Sequence, residues 1–352
     1  MTRGGKERQV KKTLLCMLLL LALLLSGCAA QSQEQEPEDA ATSTATDPNV
    51  RTTGTGFYFD TVVTFTLYGA DATLMDDLQN ACRRYENLLS RTIADSDVGR
   101  INAAGGETVT VDPETAHILT RALEISRMTD EAFCVTIAPL TSLWDFSGGT
   151  QRMPTEEERL AALPLVDDSK LVVDGNQVSL PAGMQIDLGG IAKGYIADEL
   201  AKMCENRSHG ALLNFGGNVY VTGAKPDGSL YRVGVRDPKN TASSLAVISM
   251  GPGTVVTSGV YERCFEKDGV FYHHILDPQT GLSAQTDLTS ATIVGQSSMD
   301  ADALATALIV MGKEKALAFC EEKGLDAMLI DWEDQVFCTQ GFAEKYALEV
   351  AP

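Results

Sequence analysis

The 352-residue sequence is short of positive charge: 28 Lys and Arg stand against 48 Asp and Glu, for a net charge of −20. Nucleic acids recruit clustered Lys and Arg onto their phosphates, and the chain lacks such clusters beyond its N-terminus, so no nucleic-acid partner is expected. An acidic enzyme that holds a polyanion would need a local cation. The eight cysteines form no CxxC and pair with no His at zinc spacing, which argues against a structural zinc centre. No short-period repeat is found, and nothing after residue 54 has the composition of an interdomain linker.

What is present begins with an export signal. Arg3, Lys6, Arg8, Lys11 and Lys12 form a basic n-region, "LLCMLLLLALLL" is a short apolar h-region, and "LSGC" follows. That tetrapeptide resembles a bacterial lipobox, with Cys28 as the lipidated first residue of the mature chain; a plain signal anchor is the alternative. Loss of residues 1–27, with five basic groups and one acid, takes the net charge to −24. Of the remaining cysteines, Cys82, Cys134, Cys204, Cys264, Cys320 and Cys338 could pair in an oxidising compartment, but spacing assigns no pair, and buried small hydrophobes are expected. Residues 28–53 are polar, acidic and poor in large apolar groups, and are expected to form a tether.

From residue 54 to 352 the pattern is globular. Val63, Phe65 and Leu67 alternate with Thr64 and Thr66 as in a half-buried strand. Leu74, Leu78, Cys82, Tyr85 and Leu89 recur at helical steps over about 71–90, and Asp112-Pro113-Glu114 opens a second helix carrying Ile118, Leu119, Ala122 and Ile125. "KLVVDGNQVSLP" is a hairpin with Asp174-Gly175 at its turn. Strands and helices then mix without regular βαβ alternation, which predicts a single α+β domain.

Three stretches bear on chemistry. "QIDLGGIAKGYIADEL" is expected to be a short strand ending at Asp187, a glycine turn and a helix, with Lys193 adding positive charge where a helix N-terminus already favours anions. It is not a Walker A loop, because Lys193 precedes Gly194, and an ordinary tight turn explains it equally well. His273 and His274 are adjacent on a strand, so only one faces a given cleft; that one is either a general base or an imidazole satisfied within the sheet. In "MDADALATALIVMG", Asp302 and Thr306 lie one helical turn apart, beside a core stripe of Ala301, Leu304, Ala305, Leu308 and Ile309. Two oxygen donors there suit Mg²⁺, whereas Asp300 and Asp302 also simply complement the helix dipole, with Ser297 or Ser298 as cap.

Taken together, "FDTVVTF", "ENLLSRTIADSDVGRIN", "AFCVTIAPLTSLW", "IDLGGIAKGYIAD", "NFGGNVYVTG", "VTSGVYER", "HHILDPQTG" and "DADALATAL" resemble, in this order, the FAD:protein FMN transferases of the ApbE family. The resemblance covers about residues 55–345. It implies a mixed α/β catalytic domain, lipid-anchored on the extracytoplasmic face of a bacterial envelope. The implied reaction uses Mg²⁺ to split the FAD diphosphate, attach FMN through a phosphoester to a Thr or Ser of an exported or membrane redox protein, and release AMP. By the same matching, Gly190, Asp302 and Thr306 hold the metal, His274 is the base, and Phe59, Thr92, Ala132, Phe133, Cys134, Asp187, Lys193 and Leu276 line the FAD site.

Three positions depart from the family pattern, which usually has Met at Phe59, Tyr near Thr92 and Asp at Cys134. Losing a carboxylate that accepts from FAD would weaken binding by about 1 to 3 kcal/mol if its partner stays unpaired, unless a neighbour takes over. Two other activities fit the same motifs: a Mg²⁺-dependent FAD pyrophosphatase, with water in place of the acceptor hydroxyl, and a lipoprotein that binds flavin without turning it over.

Overall fold

The computed structural model describes residues 46–146 and 149–351. The leader, Cys28 and most of the tether lie outside them. The first strand, Arg51–Tyr58, begins three residues inside the segment assigned to the tether, because its backbone pairs along its whole length with Thr61–Tyr68.

The centre is an eight-stranded sheet whose spatial order is its chain order: Arg51–Tyr58, Thr61–Tyr68, Gly210–Asn214, Asn218–Gly223, Gly253–Gly259, Leu288–Gly295, Asp326–Asp331 and Val336–Cys338. Every neighbouring pair is antiparallel. Helices and smaller sheets are inserted between these strands, which gives the α+β architecture expected from the sequence.

Alternation along the strands sorts side chains onto two covered faces. Phe65, Leu213, Val256, Ala291, Ile293 and Leu329 face one apolar layer, shared with the helices. Val221, Val255, Val294, Met328 and Ile330 face another, shared with Val233, Val235, Ala246 and Ile248 of a three-stranded sheet. Both faces being covered explains why Leu288–Val294 is buried at every residue, instead of at every second one.

The periodic helices form where their patterns place them. Leu74–Leu89 buries the five residues that recur at helical steps, and Pro113–Met128 starts at Asp112, whose carboxylate accepts from the Glu114 amide at 2.9 Å. Two local expectations need correction. The hairpin loop is Gly175-Asn176, one residue later than read, since Asp174 still pairs with Gln177 and Gly175 supplies the positive φ of 56°. The segment before the glycine turn is not a strand. The Asn102 amide clamps Ile186 at both N–H and C=O, and the Asp187 amide donates to the Val135 carbonyl, so side-chain and loop partners replace a ladder.

The late helix Ser298–Met311 is buried almost all round, so Asp302 is only 3% exposed. It does not flank the core on an open stripe as its pattern implied. Its N-terminus packs against the helix Ala192–Cys204 so closely that a Cβ on Gly194 would lie 2.1 Å from the Ser298 carbonyl oxygen. Replacing Gly194 by Ala is therefore expected to cost about 3 kcal/mol, the upper end of overpacking penalties, read as a lowered midpoint in urea unfolding.

Candidate functional site

The glycine turn, Leu188–Ile191, delivers its backbone to the late helix. A Cβ on Gly190 would lie 3.1 Å from the Phe133 ring and 3.7 Å from Thr306 Oγ1. Phe133, Gly190 and Thr306, far apart in sequence, thus meet. Thr306 Oγ1 donates back to the Asp302 carbonyl at 3.3 Å and lies 3.3 Å from Ser258 Oγ.

Asp302 is the electrostatic centre of this group. Its Oδ2 accepts from the Gly194 amide at 3.0 Å, and Lys193 Nζ lies 3.2 Å from Oδ1 while also donating to the Gly189 carbonyl at 3.0 Å. A buried carboxylate needs such partners, because an isolated charge in the interior is strongly disfavoured. Among the described residues no three His, Cys, Asp or Glu side chains cluster as a metal site. The Asp302 carboxylate and the Thr306 hydroxyl are oxygen donors of the kind a hard cation takes, and the ammonium beside Asp302 shows that positive charge is stabilised there.

The surrounding residues were only partly legible in the sequence. Asp187 accepts from the Gly189 amide at 2.8 Å and pairs with Arg91, Nε to Oδ2 at 3.3 Å; Arg91 also donates to Ser142 Oγ at 3.1 Å. Arg91 sits beside exposed Thr92 and was not singled out, although it lies inside a recognised motif. Cys134 is buried with its thiol 2.9 Å from Asp168 Oδ1, and burial, followed by the Asp168 charge, pushes the thiol pKa up. Asp168 also accepts from the Val135 and Thr136 amides and the Thr136 hydroxyl. A carboxylate is thus present next to Cys134, supplied from a segment whose sequence carries no signal for it.

Cys134 shares a cleft of about 210 Å³ with Glu131, Asp167, Pro278 and Gln279. Leu276, just before that turn, packs instead with Leu140, Trp144 and Phe265. Ala132 packs against the main core. Phe59 stands in a left-handed turn, φ 55°, with its amide donating to Glu86; its ring is 6.2 Å from that of Tyr58. No described contact joins Phe59 or Thr92 directly to the Asp302 group.

The two histidines are not both on a strand, as their pattern implied: the strand Val270–His273 ends at the first, and His274 sits in the bend that follows. His273 is buried, with Nε2 3.0 Å from the Ala284 carbonyl. His274 is half-buried; its amide donates to the Arg263 carbonyl, and its Nδ1 has no hydrogen-bond partner among the described residues. Burial, then the Arg263 and His273 charges, lower the His274 pKa to about 3, and the Lys193 charge adds to this.

A family model described as the ApbE family matches residues 59–329. The chain belongs to the ApbE family. A curated relative from Treponema pallidum, named FAD:protein FMN transferase, is 35% identical over 291 residues, 77% of this chain and 80% of that protein. Another of the same name from Klebsiella pneumoniae is 35% identical over 75% of this chain and 84% of its own. The crystal structure of the ApbE protein from Thermotoga maritima superposes with a TM-score of 0.78 at 31% identity, covering 84% of this chain and 99% of that one. The apo flavinyl transferase ApbE of Pseudomonas stutzeri superposes at 0.76 and 29% identity, covering 86% and 98%.

His273 also makes stability pH-dependent. Burial lowers its folded-state pKa to about 4, against 6.5 for a free imidazole. Its contribution is fully present above pH 6.5 and is lost as pH falls towards 4, because only the unfolded chain takes up the proton. Thermal melts should show the midpoint falling over that window, and His273→Gln should make the fall shallower, His274 supplying part of what remains.

Proposed function

We propose that this chain transfers FMN from FAD to a Thr or Ser hydroxyl of an exported protein, forming a phosphoester and releasing AMP. One observation carries the reading beyond family membership: a buried carboxylate, a hydroxyl and a glycine turn converge with a lysine at one point of the interior. A structural role alone has little use for that combination.

In this reading, Gly190, Asp302 and Thr306 hold Mg²⁺, which when bound would neutralise charge on the diphosphate. Lys193, whose side chain is about a quarter exposed, has room to leave Asp302 and serve as the local cation an acidic protein needs for a polyanion. The family match assigns Phe133 and Leu276, both buried in the free fold, to the ring systems; it has Asp187 accept from the nucleotide, with Arg91 fixing its orientation, and sets Ala132 and Cys134 at the pocket beside Asp168. The same match assigns Phe59 and Thr92 to its rim.

The acceptor oxygen attacks the phosphorus nearest riboflavin, a new P–O ester bond forms, and the bond to the bridging oxygen breaks, so AMP leaves with that oxygen. The hydroxyl proton passes to His274. Its imidazole is neutral at pH 7 with the lone pair free, but burial, followed by its cationic neighbours, makes it a weak base in the free fold, and the anionic diphosphate would raise its proton affinity when bound.

The leader and Cys28 lie outside the described residues; with them the reading extends to a lipid-anchored enzyme of a bacterial envelope whose acceptors are exported or membrane redox proteins. Cys28→Ser should then move the chain from the membrane fraction to the soluble one, followed by immunoblot. Asp302→Ala should lower FMN labelling of a Thr-containing acceptor by at least about 100-fold, the range for removal of a catalytic electrostatic group, with the folded state retained by circular dichroism. Wild-type labelling by that variant would refute the assignment, and AMP released equally fast without acceptor would show hydrolysis to be the main activity.

A further inference from the structure

Asn218 follows the glycine pair of "NFGGN". Its side chain is 2% exposed, and Nδ2 is buried with no hydrogen-bond partner among the described residues. An unsatisfied buried amide is unfavourable for folding. A Val or Leu would suit this apolar layer better. The amide therefore calls for a role outside the free fold.

Strand register says which way it faces. Asn218 pairs with Val256, and directly opposed residues of an antiparallel pair project to the same side. Two residues from Val256 in either direction, the side chains reach the late helix: Thr254 Oγ1 donates to Ser298 Oγ at 3.0 Å, and Ser258 Oγ lies 3.3 Å from Thr306 Oγ1. Asn218 thus lies on the face that carries Asp302 and Thr306, at the Ser258 end of its strand. Its backbone is fixed there, since the Gly217 carbonyl accepts from the Thr257 amide at 3.0 Å. Tyr220, two residues on, lines a separate cleft with Gln296 and Ser297 at the other end.

We propose that Asn218 donates a hydrogen bond from Nδ2 to the diphosphate of the nucleotide substrate. This rests on the flavin-transfer reading and assigns that site a further binding residue. A phosphate oxygen is an acceptor only, which matches the orphaned donor, and the diphosphate is the substrate group that the Asp302 and Thr306 oxygens would serve. Contact requires the amide to turn about its Cβ–Cγ bond, a soft torsion.

The test separates this role from a structural one, which would move stability instead. Full-length wild type and Asn218→Leu are compared by thermal melting and by calorimetric titration, in Mg²⁺, with FAD, with ADP as a probe without flavin, and with riboflavin as a probe without phosphate. The variant should melt at the same or a higher temperature, bind FAD and ADP about tenfold more weakly, and bind riboflavin unchanged. If Asn218→Leu does not fold, Asn218→Asp keeps the shape, sets a carboxylate against the phosphates, and should weaken ADP binding further. Unchanged ADP affinity in a folded variant, or a loss confined to riboflavin, would overturn the proposal while leaving flavin transfer standing. Wild type that binds neither FAD nor ADP would overturn both.

Discussion

Asp302 is the point on which the arrangement turns. A carboxylate 3% exposed on a helix buried almost all round is tolerable only with donors in place, and they come from a different helix: the Gly194 amide and the Lys193 ammonium. That contact requires the two helix N-termini to approach so closely that position 194 has no space for a side chain. The second helix is fixed from the other side as well, since Asp198 accepts from the Ser298 and Met299 amides at 2.7 and 2.9 Å. Burial is the main influence on Asp198 and pushes its pKa up to about 6.

The sheet supplies the rigidity behind this contact. With apolar layers on both faces, its middle strands cannot slip register without moving a whole set of side chains to the wrong face. Ser258 and Asn218 are held in place by that register, and the glycine turn between Phe215 and Asn218 lies against Thr61. Polar groups in this region thus stand on strands and helices with little freedom to rearrange, the condition under which a site is preorganised for a charged substrate.

Legibility differed by kind of residue. Elements marked by periodicity and capping were readable: Leu74–Leu89, the helix capped by Asp112, and the alternation of Val63, Phe65 and Leu67 are local patterns with local causes. Of the site, Asp302, Thr306, Gly190, Lys193 and Phe133 were named in advance through the ordered motifs, and the structure brings these five together. Asp168 and Arg91 were not named. Nothing near Asp168 in sequence reports that its carboxylate will collect the Cys134 thiol, two amides and a hydroxyl from a segment over thirty residues away.

By itself the sequence determined the family, the α+β class and the helices whose apolar residues recur at 3.6-residue steps, because composition, motif order and periodicity act over short stretches of chain. Only the tertiary structure decided that the late helix would be buried almost all round, that Lys193 would face Asp302, that Asp168 would stand against Cys134 and that the Asn218 Nδ2 would have no partner among the described residues. Those outcomes depend on long-range packing, on which atoms remain near a charge after the apolar surfaces have closed, and no local pattern of residues encodes that.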